Sequence, residues 1–314
     1  MPEMMQAVVV DDAAPGRMRL AEVARPRPQP TDVLVRVQAI SLNRGEIKTA
    51  LAAPGGFRPG WDFAGVVAQC AEQGSSCRVG TRVVGLMPFG GWAEYVAVSP
   101  LMIAPLPDNV GFEAAATLPV AGLTARAALA KGPQREGVRV LITGASGGVG
   151  TLAIQLAKHQ SADVTAAIRN GAHQALVRRL GADHAAIGEA LDGADQFGPY
   201  DLILESVGGP TLGRALSLLA PGGTCVVFGA SSGNSTTFDA ARFRVGGTSL
   251  YGLVMQYELA RTPPSIGLQD LLALVQQQKL KPVIERRGSI GELSRVAEEL
   301  MQRQFVGKAV LSLH

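Results

Sequence analysis

Residues 143–150, Thr-Gly-Ala-Ser-Gly-Gly-Val-Gly, have a spacing suited to holding a pyrophosphate. Small residues let a backbone turn sharply and come close to phosphate oxygens. The free N–H groups and dipole at the start of a helix then favour the negative charge. Against the G-x-G-x-x-G pattern, Ala145 stands at the first glycine, followed by Gly147 and Gly150. Ser146, Gly148 and Val149 fill the places between them. The same letters also suit an ordinary β–turn–α corner with packing glycines, so context has to discriminate. Val138–Thr143 is an apolar, β-branched run that reads as a strand, and 148–159 carries a helical pattern. Strand, tight turn and helix favour the phosphate reading.

The elements around this loop follow from hydrophobic period and turn residues. The first ~120 residues alternate short apolar runs with turns, and strands are predicted at Ala7–Val10, Val33–Ala39, Gly65–Ala68, Arg82–Gly85 and Glu94–Val98. Pro26, Pro28 and Pro30 make an extended connector. From Gly111 the texture becomes helical, over Glu113–Leu118 and Leu123–Ala130. Strand and helix then alternate: Val138–Thr143, 148–159, Val164–Ile168, 172–180, Leu202–Glu205, 211–219 and Thr224–Phe228. That alternation predicts a doubly wound parallel sheet, an α/β fold. The tail reads helix, helix, strand over Leu268–Gln278, Ile290–Gln302 and Ala309–Leu313. A lone terminal strand needs a sheet, so it is expected to return to the N-terminal β-rich region.

At 314 residues the chain suits two domains, and 47% hydrophobic with 18% charged residues marks it as globular. No run of about 18 apolar residues is present to span a membrane, and Met1–Gln6 lacks the pattern of a secretory signal. Cys70, Cys77 and Cys225 have no C-x-x-C spacing, which points to incidental thiols in a reducing cytoplasm. A net charge of +3 with no basic cluster gives no indication of nucleic acid as a partner.

The order of motifs resembles the medium-chain dehydrogenase/reductase superfamily, in its zinc-free quinone oxidoreductase (ζ-crystallin-like) branch. The resemblance runs along essentially the whole chain. It rests on Ser41–Glu46, Gly60–Val67, Gly90–Tyr95, Leu123–Ala125, the glycine loop, Leu180–His184 and Gly307–Leu311. It implies a GroES-like catalytic domain (1–122 and 255–314) around an inserted Rossmann domain (123–254) with the cofactor in the cleft between them. It also implies a homodimer joined at Rossmann sheet edges. Thr248–Tyr251, apolar and without charge, is the expected edge strand.

Cofactor choice is read at the end of the second Rossmann strand, where an NAD-selective site carries an acid for the ribose hydroxyls. Here the residues are Ala166-Ala167-Ile168-Arg169-Asn170, a cation in place of the acid. A guanidinium fork suits a phosphate monoester, so NADPH is expected; the alternative is a solvated arginine at a loop tip. His173 stands where relatives often have lysine, Arg303 matches another phosphate-reaching position, and a tyrosine some relatives use is replaced by Gly188. The resemblance further implies that Phe228, Gly229, Ala230 and Ser231 pass close to the cofactor. The backbone around Tyr251 and Leu253 would meet the nicotinamide carboxamide, and Tyr251 would also border the substrate. Thr124 is expected to open the helix beneath the nicotinamide.

Zinc-dependent relatives place a Cys and a His-Glu pair at positions that hold Asn43 and Trp61-Asp62 here, and three scattered cysteines cannot build a four-cysteine lobe. No metal is expected. Without a Lewis acid the acceptor must already be electrophilic, which suits a quinone or an α,β-unsaturated carbonyl. By analogy Asn43 touches either the nicotinamide ribose or the acceptor oxygen, unless it only closes a turn. Glu46 and Asp62 are read as structural. Phe57 and Trp61 form an aromatic wall for a planar substrate or simply fill core. The Asn43 loop has no tyrosine proton donor, leaving water or a cofactor hydroxyl for that role. Two functions stay open: a soluble NADPH-dependent reductase of quinones or enones, or an NADPH-binding structural, redox-sensing or RNA-binding protein with little turnover.

Overall fold

The computed structural model describes Glu3–Gln73 and Arg78–Leu313. Cys77, read above as incidental, lies outside the described residues. The chain forms two compact units. One runs through Leu123 and is completed by Thr262–Gln278 and the segment from Pro282 onward; the other is Thr124–Arg261 with Lys279–Lys281. No helix among the described residues is long and apolar enough to cross a membrane.

In the first unit, β1 (Met4–Val10) and β2 (Met18–Ala24) form an antiparallel ribbon. The strands β3 (Val33–Ser41), β4 (Asp62–Gln69), β5 (Arg82–Leu86), β6 (Tyr95–Val98) and β7 (Ile103–Pro105) follow. The second unit contributes β8 (Arg139–Ile142), β9 (Asp163–Ile168), β10 (His184–Ile187), β11 (Tyr200–Glu205), β12 (Leu219–Val227) and β13 (Ser249–Gly252). The chain then returns to the first unit as β14 (Ile284–Ser289) and β15 (Lys308–Ser312).

The first unit's sheet has the order β14-β15-β3-β4-β5-β7, with β6 also paired to β3. Alternation on β3 puts Val33, Val35 and Val37 into a core shared with Phe63, Val83, Trp92, Val96 and Val296. The terminal strand does return to the β-rich region: β15 pairs antiparallel with β3 through Val310–Ser41. It is not a lone strand, however, because β14 lies parallel beside it. The tail is therefore helix, strand, helix, strand. Ile284–Ser289 escaped the sequence reading because its burial alternates between partly buried and exposed, so it lacks a strong apolar run.

The second unit's six-stranded sheet has the order β10-β9-β8-β11-β12-β13 and is parallel throughout. From β8 the chain winds outward through β9 and β10, then restarts at β11 and winds the other way. The switch point lies between β8 and β11, the place where open α/β sheets bind ligands. β13 is an edge strand, as expected for Thr248–Tyr251, although it begins at Ser249, and Leu250 on it is 48% exposed.

The helix expected to open at Leu123 begins four residues earlier and spans Pro119–Leu129. Proline lacks the N–H that a first helical residue leaves unused and has its φ preset, so Pro119 is the natural start. Thr124 is therefore a buried mid-helix residue and does not open the helix.

Candidate active site

Among the described residues, buried polar groups gather in each unit, and the two gatherings have different chemistry. In the second unit the cluster lies at the switch point. The turn after β8 is made by Gly144, at φ +57°, so the L-residue Ala145 at the nominal first glycine is accommodated without strain. Ala145 is fully buried and its N–H donates to Ala167 O at 3.1 Å. Its part is therefore to shape the turn, and the free amides lie further along.

Helix Gly148–His159 starts one residue after Gly147, and its first backbone bond runs from Thr151 N to Gly147 O at 3.0 Å. The amides of Gly148, Val149 and Gly150 have no preceding turn to bond. A Cβ on Gly150 would sit 2.5 Å from Gly144 O and 2.6 Å from the Ala145 Cα. Only glycine permits this approach of helix to turn, which leaves the helix start uncovered for an anion.

The neighbouring strand ends are knotted to this turn. Thr143 Oγ1 donates to Glu205 Oε1 (3.1 Å) and accepts from Ser206 N (3.0 Å), while Ser206 Oγ donates to Thr143 O (3.2 Å). Glu205 is fully buried and also accepts from the amides of Val207 (2.8 Å) and Gly208 (3.1 Å). Burial raises its pKa despite those donors. Burial likewise pushes the adjacent Cys225 thiol upward, which keeps it un-ionised and inert. After β12, a Cβ on Gly229 would lie 2.9 Å from Ser206 O, so the Phe228–Ser231 loop is drawn tightly against the end of β11. Sequence reasoning missed Glu205; an acid ending the apolar run Leu202–Leu204 was the available signal.

Arg169 and Asn170 follow β9 and are exposed. Among the described residues Arg169 has no hydrogen-bond or ion-pair partner. Asn170 Oδ1 accepts from Ala172 N (2.9 Å), capping the short turn Gly171–His173. Tyr251 is committed elsewhere: its hydroxyl donates to Glu258 at 2.5 Å, and the Lys131 ammonium lies 4.4 Å over its ring. Its phenol therefore has a partner within its own unit. Leu253 is buried and its N–H donates to Val227 O at 2.8 Å.

The first unit's cluster gathers Ser41, Asn43, Glu46, Asp62 and Lys308. Asn43 precedes helix Arg44–Ala52, and the Glu46 carboxylate reaches back to its N–H at 2.5 Å. The same carboxylate accepts from Trp61 N at 2.7 Å. Asp62 Oδ2 accepts from Ser41 Oγ (2.8 Å) and Asn43 Nδ2 (2.7 Å), and Asp62 Oδ1 accepts from Val120 N (2.9 Å). Lys308, 3% exposed, donates to Asn43 Oδ1 (2.6 Å) and Leu42 O (2.9 Å) and lies 3.5 Å from Asp62 Oδ2. Burial, and then the Asp62 charge, holds the Glu46 pKa well above its usual range, with Lys308 partly opposing.

This arrangement fixes what Asn43 can do. An ammonium only donates, so the atom facing Lys308 must be the amide oxygen. Both Nδ2 hydrogens are then directed to Asp62 and to Glu46 Oε1, the latter at 3.1 Å. The capping box also turns the Asn43 side chain to the Glu46 N–H, so the amide is engaged at both ends and has no donor left for a carbonyl. Lys308 was quoted in the sequence only as part of a motif. The signal for its role was a lysine heading an apolar strand, which needs buried acceptors.

Phe57 and Trp61 are half-buried. The Phe57 ring lies 6.3 Å from that of Phe89, and the Trp61 ring packs so closely on Gly45 that a Cβ there would meet it at 2.9 Å. Arg303 follows helix Leu293–Met301 at φ +61°, and its charge, after burial, lowers the pKa of Arg44.

Comparison with known proteins matches the alcohol dehydrogenase GroES-like domain over residues 29–108 and the zinc-binding dehydrogenase family over residues 148–268. Quinone oxidoreductase-like protein 2 of Bos taurus is 30% identical, covering 95% of this chain and 90% of that protein. The 2-methylene-furan-3-one reductase of Solanum lycopersicum is 31% identical, covering 85% of this chain and 68% of that protein. The chain belongs to the zinc-free, quinone oxidoreductase-like branch of the medium-chain dehydrogenase/reductase superfamily. Within this superfamily, the solved structure of mycobacterial Rv1454c complexed with NADPH superimposes with a TM-score of 0.89 at 25% identity, covering 98% of this chain and 100% of that one.

The residues do not fit the zinc named by one matching family. Among the described residues no group of three or more His, Cys, Asp and Glu is placed to hold a metal ion. At the superfamily's ligand places, Asn43 and Asp62 are bound to Lys308, Glu46, Ser41 and Val120 N, and Trp61 offers no ligand atom.

Proposed function

We propose that this protein is an NADPH-dependent reductase of a conjugated carbonyl acceptor, a quinone or an α,β-unsaturated ketone. The observation that carries the reading is the unpaired Arg169 at the end of β9, where an NAD-selective site has an acid. The NADPH complex of the mycobacterial relative supports the same cofactor.

Ser146, Gly147, Gly148 and Val149 would hold the pyrophosphate at the helix start, on the turn shaped by Ala145. Arg169, Asn170 and His173 would take the ribose phosphate, with Arg303 as a further cation. Phe228, Gly229, Ala230, Ser231, Tyr251 and Leu253 would offer backbone and packing to the nicotinamide side. When bound, the cofactor supplies a hydride.

The chain's own residues orient and exclude. Asn43, its amide fixed by Lys308, Asp62 and Glu46, would line the nicotinamide ribose side; Thr124 packs as a buried helix residue; Phe57 and Trp61 present flat faces to a planar acceptor. With no donor left on Asn43, the acceptor oxygen must be polarised by its own conjugation, so a quinone or enone suits the site better than an isolated ketone. Names of relatives point the same way, one being a quinone oxidoreductase-like protein and another a 2-methylene-furan-3-one reductase. The exposed edge strand β13 supports a homodimer in this reading.

The test is steady-state NADPH oxidation against a panel of quinones, enones and simple ketones, with alcohol oxidation run in reverse. Turnover is expected with the first two classes only. Tight NADPH binding without turnover on any acceptor would instead favour a cofactor-binding protein.

A further inference from the structure

Beside the β1–β2 ribbon, the first unit has a concave site of about 550 Å³. Val9, Ala21 and Val23 of the ribbon give it an apolar face, and Gly55, Gly56 and Arg58 form another side. Arg58 is the unusual member. Its Nε is buried without a hydrogen-bond partner, and among the described residues no carboxylate pairs with its guanidinium. The two acids on the rim are already matched, Asp11 to Arg19 at 2.5 Å and Asp12 to Arg17. Burial alone lowers the Arg58 pKa, with no neighbouring charge contributing.

Arg58 therefore brings a donor that no acceptor among the described residues meets. Leaving such donors unmatched is costly, and a buried unsatisfied group calls for an explanation. A single guanidinium matches one planar carboxylate through two parallel N–H bonds, whereas a phosphate dianion would call for more than one cation. The lining combines this apolar face with four charged side chains, Asp11, Asp12, Arg19 and Arg58, and of these Arg58 alone lacks a partner among the described residues. Apolar walls with a few convergent polar groups are the usual form of a small-molecule site.

We propose that this concavity binds a small monocarboxylate with an apolar tail, the carboxylate on Arg58 and the tail on the ribbon face of Val9, Ala21 and Val23. The site uses none of the residues assigned to the cofactor. Octanoate is the probe, followed by titration calorimetry and thermal melting of the full chain, with octanol as the uncharged control. Octanoate is expected to bind saturably at one site and raise Tm, with octanol at least tenfold weaker. Arg58→Met should weaken octanoate at least tenfold and, without ligand, raise Tm, because it replaces a half-buried, unmatched guanidinium with an apolar chain of similar length. Absence of saturable binding, equal binding of octanol, or unchanged affinity in Arg58→Met would overturn the proposal. So would a fall in Tm of the ligand-free variant, which would mean that Arg58 has an internal partner. If that variant does not fold, the octanoate–octanol comparison on the parent still decides.

Discussion

The Lys308 ammonium donates to Asn43 Oδ1 at 2.6 Å across 265 positions of sequence. The last strand of the chain thereby sets the hydrogen-bonding polarity of a residue at the end of β3. The same ammonium is the one cation of the buried cluster that holds Glu46 and Asp62.

Removing that cation should be costly. Lys308→Met leaves the buried Asp62 carboxylate without its counter-charge, beside a Glu46 whose proton burial already favours, and breaking such a buried pair costs about 3–5 kcal/mol. Denaturant unfolding is expected to show a loss on that scale. A change below about 1 kcal/mol would mean that the cluster is wetter than its burial indicates.

Cofactor preference follows from Arg169. Arg169→Ala should weaken NADPH roughly ten- to a hundredfold, the scale of about 1.5–3 kcal/mol for one charge-assisted bond, and leave NADH nearly unchanged. Fluorescence titration with both cofactors checks this. Equal affinity of the parent protein for both would remove the basis of the NADPH assignment.

Asn43 gives a matched pair of measurements. Asn43→Ala removes the side chain proposed to face the nicotinamide ribose and should lower kcat/KM by about ten- to a hundredfold. If Asn43 only closes a turn, the variant should lose stability while its folded fraction keeps normal turnover.

The raised Glu46 pKa makes stability depend on pH with a definite sign. The folded state holds the proton over a range, beginning near pH 4.5, in which the unfolded chain has released it. Through that window the native state binds more protons, so rising pH lowers stability until the folded-state pKa is passed. Glu46→Gln lacks this dependence. The Tm difference, variant minus parent, should therefore increase as pH rises from about 4. A flat or falling difference would show that Glu46 ionises normally in the fold.

Association should run through β13. Leu250→Lys places a charge on the open edge, a recognised block to strand pairing. Light scattering is expected to give a dimer mass for the parent and a monomer mass for the variant; a monomeric parent counts against the edge interface.

The sequence by itself determined what is local and periodic. Strand–turn–helix around Gly147 and Gly150 was legible because the apolar period changes from β to helix there and only small residues stand between. The parallel sheet followed from the alternation of elements, the edge position of Thr248–Tyr251 from its place in the expected topology, and the cation at Arg169 from its place after a strand. Tertiary structure decided the rest. It put Pro119, not Leu123, at the start of the helix, which moved Thr124 into the interior. It used β14, too weakly patterned to be read alone, to cover β15. It committed the Tyr251 hydroxyl to Glu258, left Arg58 unmatched, and fixed both ends of the Asn43 amide among Lys308, Asp62 and Glu46. Each of these depends on which groups meet across long separations, and a side chain's remaining hydrogen-bonding capacity is defined only once those partners are in place.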